Sequence, residues 1–370
     1  MKTCRPFPMV SLHRRRGESL NMMAWLRLTK PGVVILLQVT AVCAVLIHDL
    51  TLDTRPSLGH TLQSVGITIL GGYLTAGGAN AINMWYDRDI DPKMRRTSKR
   101  PIPSGAIGAN GALFFGISIS VIGVVWFTLM GGEIAAFWAA FSILFYVFVY
   151  TIWLKRSTVQ NIVIGGLAGS TPPLIGWWVA SGPSSLDWSG VMPLISSSLD
   201  TGSFVPYYMV ALIFLWTPPH FWALALYKSK EYHDVGIPMM PGVKGSKRTI
   251  LEMRVYGFLL LLTSLIGPYL IFSGNDSIAS ISFLIGSLFV AVWYIRTLFM
   301  LDHNEEMDKT GRMPKAARSF WVSQLFLGLM FLMALFASSG DFGSVIGSIL
   351  AALIIVRSEK KFSETGNPFV

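Results

Sequence analysis

The sequence predicts an all-α fold: a polytopic transmembrane helical bundle of about nine helices. Three observations carry this reading. Only 14% of the 370 residues are charged while 52% are hydrophobic, whereas a soluble domain carries about 25% charged residues. The apolar residues fall in repeated runs near the roughly 20 residues that a helix needs to cross a bilayer. Lys and Arg gather in alternate gaps between those runs, as they do when basic loops stay on the cytoplasmic side.

Residues 1–24 form a basic tail with Arg14, Arg15 and Arg16 in a row. The tail lacks the apolar stretch of a secretory signal and is poor in the serine of a mitochondrial transit peptide, so it reads as cytoplasmic. The expected spans are 32–48, 62–84, 107–131, 134–154, 159–180, 205–227, 250–273, 277–300 and 319–338. A run at 342–356, only 15 residues long, is a candidate short tenth. The main transmembrane unit is thus 25–338, followed by an apolar run and basic tail at 339–370. With the N-terminus inside, the inner segments before residue 320 hold 26 of the 30 Lys and Arg residues. Topology therefore explains the net charge of +10 without a nucleic-acid partner. Cys4 and Cys43 are the only cysteines, which excludes a disulfide framework and a thiolate metal site. Gly71, Gly72, Gly77, Gly78, Gly165, Gly166 and Gly169 mark close helix contacts, and they place the fifth span centrally. Pro172–Pro173 and Pro218–Pro219 predict kinks in the fifth and sixth spans.

The charge stands out where the second span ends, at N-M-W-Y-D-R-D-I-D-P-K-M-R-R-T-S-K-R-P-I-P-S-G, residues 83–105. Asn83, Asp87 and Asp91 are spaced i, i+4, i+8, so a helix continuing through them puts all three on one face and Asp89 on another. Such oxygen donors suit Mg²⁺, which takes few protein carboxylates and fills its shell with substrate phosphate oxygens and water. Arg95, Arg96, Lys99 and Arg100 could hold the remaining charge of a diphosphate. An ordinary charged loop is the plainer reading, but acids that begin inside an apolar span favour function.

Three further places carry polar groups. Lys155 and Arg156 end the fourth span on the same side, either as snorkelling anchors or as diphosphate contacts. Glu231 and Asp234 follow the sixth span at i, i+3, beside Lys228 and Lys230. They read either as a solvated loop or as a second acidic wall. His220 follows Pro218–Pro219 inside an apolar span, flanked by Trp216, Phe221 and Trp222, which makes it a site candidate.

The stretch 83–105 resembles the first aspartate-rich motif of the UbiA superfamily of intramembrane prenyltransferases, in the form of its protohaem IX farnesyltransferase branch. Y-T-I-W-L-K-R-S-T-V-Q-N-I-V-I-G-G-L-A-G-S-T-P-P-L-I-G-W resembles the central block of that branch, and W-T-P-P-H-F-W-A-L-A-L-Y with E-Y-H-D-V-G-I-P-M-M-P its third. The resemblance implies Mg²⁺-dependent farnesyl transfer from farnesyl diphosphate to a vinyl group of haem b, giving haem O. It implies that Asn83, Asp87 and Asp91 bind metal and diphosphate, that Glu231 and Asp234 form the second motif, and that His220 faces the haem side. It also implies a multi-pass protein of the cell membrane (less so of the mitochondrial inner membrane), with haem-pathway enzymes or terminal oxidase assembly as partners. The second motif differs from a plain D-x-x-x-D, and Gly32 stands where the family often has Arg. A transferase acting on a quinone precursor or glycerophosphate lipid is the alternative within the superfamily. A transporter is the alternative outside it.

Overall fold

The computed structural model describes residues 22–94, 96–228, 236–272, 277–305 and 313–367. Among them there are helices and turns and no strand. The helices are α1 (Met22–Leu28), α2 (Pro31–Thr51), α3 (Leu58–Tyr86), α4 (Ala109–Met130), α5 (Glu133–Leu144), α6 (Asn161–Ser170), α7 (Pro172–Ala180), α8 (Val191–Leu199) and α9 (Val205–Tyr227). They continue as α10 (Met240–Ile271), α11 (Ile278–Phe299), α12 (Pro314–Ala337) and α13 (Asp341–Thr365). Helix α5 runs on through a π-helical segment, Phe145–Leu154.

Among the described residues ten spans are long and apolar enough to cross a membrane, so the protein is a multi-pass membrane protein and the candidate short tenth is a helix of full length. The tenth is α13, at 25 residues roughly 37 Å long. The apolar run alone understates it, because the helix continues through charged residues that have partners. Glu359 accepts from Arg318 at 2.6 Å and from the Trp293 indole at 2.9 Å. The Arg318 guanidinium also lies 4.3 Å from the Phe362 ring centroid. At the other end Asp341 accepts from the Ala279 amide at 2.8 Å. These contacts tie α13 to α11 and α12 at both ends.

The largest core lies among α9, α10, α11 and α12, with Trp222, Tyr294, Phe283 and Phe326 fully buried. A second, around Phe127, joins α3, α4, α5 and α7. Most of the glycines picked out in the sequence allow these approaches. A Cβ on Gly71 would lie 2.6 Å from the Phe127 ring, and one on Gly78 would lie 2.7 Å from the Gly116 carbonyl. Gly165 faces Tyr150, and Gly166 faces Thr217 of α9. Gly169 is different: nothing lies within 4 Å of its Cβ position, so it marks no close contact.

The two Pro–Pro pairs behave differently. At Pro172–Pro173 the fifth span divides into α6 and α7, because neither proline can donate to the preceding turn. At Pro218–Pro219 α9 continues without a break. The Thr217 hydroxyl donates to the Ile213 carbonyl at 2.7 Å, and Trp216 anchors the same turn to the Ser323 carbonyl at 2.6 Å.

Candidate active site

The acidic stretch closes α3, but not as a continuous α-helix. The helix stops at Tyr86, and Asp87–Asp89 and Asp91–Lys93 form two 3₁₀ turns. Pro92 keeps the α-helix from resuming: it has no amide hydrogen to give the Arg88 carbonyl, and it disfavours α geometry at Asp91. The expected grouping nevertheless holds. Asn83, Asp87 and Asp91 are 3%, 1% and 2% exposed, while the Asp89 side chain is 56% exposed.

Each buried donor meets a cation from another part of the chain. Lys155 donates to Asp87, and Arg156 approaches the other Asp87 oxygen at 3.8 Å. Arg156 makes its own two-pronged contact with Asp89, both bonds 2.7 Å. Arg100 donates to the two Asp91 oxygens at 2.8 and 2.9 Å. Lys155 and Arg156 are positioned by the π-helical segment before them. Asn83 is bonded to that segment through Thr151 at 3.2 Å. Of the three described cations among Arg95, Arg96, Lys99 and Arg100, Arg100 reaches the acids. Arg96 and Lys99 are exposed, and Arg95 lies outside the described residues.

A fourth cation escaped the sequence reading. Lys30 donates to the Asn83 amide oxygen at 2.7 Å. Because an ammonium can only donate, this contact fixes which end of the Asn83 amide faces it. Lys30 is the one non-glycine residue with positive φ among the described residues, at φ 51 and ψ 63. That left-handed turn costs roughly 1–2 kcal/mol. The surrounding contacts hold it: Asn80 donates to the Thr29 carbonyl at 3.2 Å, and the Thr29 hydroxyl bonds that of Tyr73 at 2.8 Å. Burial, with the Arg100 and Lys155 charges nearby, pushes the Lys30 ammonium well below the usual lysine value. Burial also lowers Lys155, against the opposing pull of Asp87. The available signal was L-T-K-P itself, a lysine at the mouth of an apolar span.

Glu231 and Asp234 lie outside the described residues, and Lys228 is half-buried just past the end of α9. His220 is buried and stacked between Trp216 and Phe320, with ring centroids 4.1 and 4.5 Å away. Its Nδ1 shares a 2.6 Å hydrogen bond with the Ser323 hydroxyl. This contact joins α9 to α12.

The site also bears on a metal. Asp87 Oδ1 is buried and has no hydrogen-bond partner among the described residues, with the Arg156 guanidinium 3.8 Å away. Two carboxylates and an amide oxygen fit a small hard dication. Among the described residues no three His, Cys, Asp or Glu side chains converge as a closed metal cage.

With this geometry in place, the comparisons with known proteins become specific. Residues 36–313 match the UbiA prenyltransferase family. The chain belongs to that family. Among curated UbiA-type relatives, the chain is 41% identical over 305 residues to the protoheme IX farnesyltransferase of Acidiphilium cryptum, across 82% of this chain and 87% of that protein. It is 38% identical over 307 residues to the protein of that name from Bartonella bacilliformis, across 83% and 88%. Among solved structures, a digeranylgeranylglyceryl phosphate synthase matches with a TM-score of 0.59 at 18% identity, covering 88% of this chain and 98% of that one. A UbiA homolog from Archaeoglobus fulgidus bound to GPP and Mg²⁺ matches with a TM-score of 0.54 at 14% identity, covering 85% and 99%. These structural likenesses establish the UbiA fold.

Proposed function

We propose that the protein transfers a farnesyl group from farnesyl diphosphate to a vinyl group of haem b, giving haem O and diphosphate. The observation that carries this reading is about 40% identity to protoheme IX farnesyltransferases over 82–83% of the chain, in a protein whose buried Asn83, Asp87 and Asp91 meet Lys30, Lys155 and Arg100 in turn at one end of α3.

The roles follow from the chemistry of the side chains. Asn83, Asp87 and Asp91 would hold Mg²⁺, and bound Mg²⁺ supplies Lewis-acid neutralisation of the diphosphate. Lys30, Arg100, Lys155 and Arg156 provide donors for the phosphate oxygens, with the guanidinium groups suited to two-pronged contact. Arg96, Lys99 and Lys228 are further candidate diphosphate contacts, and Arg95, Glu231 and Asp234 are assigned from the sequence alone, Glu231 and Asp234 as the second acidic motif. His220 borders the acceptor side, its ring orientation fixed by Ser323 and the stacked aromatics.

In the reaction the farnesyl C1–O bond breaks and its electron pair leaves with the diphosphate. Donors fixed in advance stabilise that developing charge more than they stabilise the ground state. The vinyl π electrons form the new C–C bond to C1. Water then adds to the resulting cation and gives up a proton, which leaves the hydroxyethylfarnesyl group.

The same threading gives orientation. With ten spans both ends lie on one side, and Arg55 alone among the 30 Lys and Arg residues lies on the other. The site therefore opens on the cytoplasmic side of the cell membrane. The deciding experiment incubates the purified protein in nanodiscs with Mg²⁺, farnesyl diphosphate and either haem b or 4-hydroxybenzoate, with products read by mass spectrometry. Haem O is expected. Its absence together with a prenylated benzoate would move the protein to another branch of the family.

A further inference from the structure

A second basic group of residues lies where α10 begins. A cavity of about 480 Å³ is lined by Lys244, Lys247, Arg248 and Arg254 of α10 together with Leu301 and His303 after α11. Its volume falls within the roughly 300–1,000 Å³ range of small-molecule sites. Gly245, at φ 79 and ψ 162, breaks the first turns of α10, and the lysines on either side of the break both line the cavity.

The charge in this cavity is poorly compensated. Glu252 accepts from Arg248 at 2.5 Å. Arg254 is held by neutral groups, donating to the Leu301 carbonyl at 3.1 Å and stacking 5.0 Å from the Phe299 ring centroid. Among the described residues, no carboxylate pairs with Lys244, Lys247 or Arg254. An anion fits this site.

The surface next to the cavity indicates what carries the anion. On α10, Leu251, Val255, Phe258, Leu262 and Ile266 are large, apolar and 44–58% exposed, at the i, i+4, i+7, i+11, i+15 spacing of one helical stripe. That stripe begins one turn after Lys247 and runs the length of the span. Gly257 brings α10 against Leu298 of α11, where Phe299 is also exposed, so the stripe borders a seam between two helices. Basic pockets between membrane helices at the inner interface are suited to lipid head groups. We propose that this cavity binds the phosphodiester head group of an anionic phospholipid, with the acyl chains lying along the α10 stripe.

The test measures retention of phosphatidylglycerol against phosphatidylcholine by native mass spectrometry of the full-length protein, offered the two lipids in equal amounts. Wild type should keep phosphatidylglycerol preferentially. Each lysine near an anionic head group contributes roughly fivefold in affinity. Lys247→Gln should therefore weaken retention by about that factor, and the Lys244→Gln/Lys247→Gln pair by roughly thirtyfold. Lys360→Gln/Lys361→Gln removes the same charge from the exposed end of α13 and should leave retention unchanged. Inorganic phosphate and glycerol phosphate in excess should not displace the lipid. No preference between the two lipids, equal loss in both double variants, or displacement by inorganic phosphate alone would each overturn the proposal.

Discussion

Asp87→Asn separates the assigned roles with the least change in shape. The carboxylate is 1% exposed, and Lys155 and Arg156 both approach it. Removing one partner of a buried ion pair destabilises by about 3–5 kcal/mol. The Lys155 side chain keeps some access to water, at 16% exposure, which softens the loss of its partner. The stability loss should therefore fall near about 3 kcal/mol. Activity should fall further, because a preorganised group acting on transition-state charge is worth about 10²–10³ in rate. The comparison is Asp89→Asn. Its side chain is 56% exposed and pairs with Arg156 at the surface, where such a pair is worth about 0–1 kcal/mol. Both variants should be measured for haem O formation at saturating and limiting farnesyl diphosphate, and for thermal unfolding in detergent. An Asp87→Asn protein within tenfold of wild type, or an Asp89→Asn protein equally impaired, would refute the assignment of Asp87 to the metal.

The remaining predictions concern neighbouring parts of the structure. Lys30→Met should weaken farnesyl diphosphate binding at least tenfold. Lys30→Gly should weaken it equally yet melt higher than Lys30→Met, since glycine relieves a left-handed turn worth roughly 1–2 kcal/mol; equal melting would argue against strain at that residue. Gly71→Val should cost about 1–3 kcal/mol by overpacking against Phe127, whereas Gly169→Ala, with open space at its Cβ, should be neutral or slightly stabilising. Thermal melts of the pair check both. Glu359→Gln should loosen α13 and make its C-terminal turns more open to protease, because the carboxylate loses its charge-assisted bond from Arg318.

Much of the fold was legible because bilayer thickness forces the length and polarity of each helix into the sequence. What a window of apolar residues cannot register is a helix whose last turns are charged and paired, which is how α13 was undercounted. The acids show a related limit. The i, i+4, i+8 spacing selected Asn83, Asp87 and Asp91 and set Asp89 apart, yet the backbone realises this with two 3₁₀ turns, the second of which contains Pro92. Lys30 lay beyond reach because its partner is 53 residues away in sequence and its backbone conformation depends on Asn80 and Tyr73. At Pro218–Pro219, where the sequence predicts a kink, α9 remains one helix, and hydrogen bonds from Thr217 and Trp216 tie that turn to its neighbours.

The ion pairs at the end of α3 carry one more implication. Lys155 pairs with Asp87 and Arg100 with Asp91, so the acids and bases that would hold metal and diphosphate neutralise one another. A diphosphate arriving alone would draw the cations away from carboxylates left uncompensated. A dication arriving alone would strand the cations in the same way. Neither arrival is favourable until both have occurred, so the two ligands should bind with strong positive coupling. Isothermal titration in nanodiscs should show weak Mg²⁺ binding without diphosphate and tight binding with it, and independent affinities would contradict this exchange of partners. The coupling makes the site an interlock: it favours the occupied arrangement only when both components of the reactive complex are present.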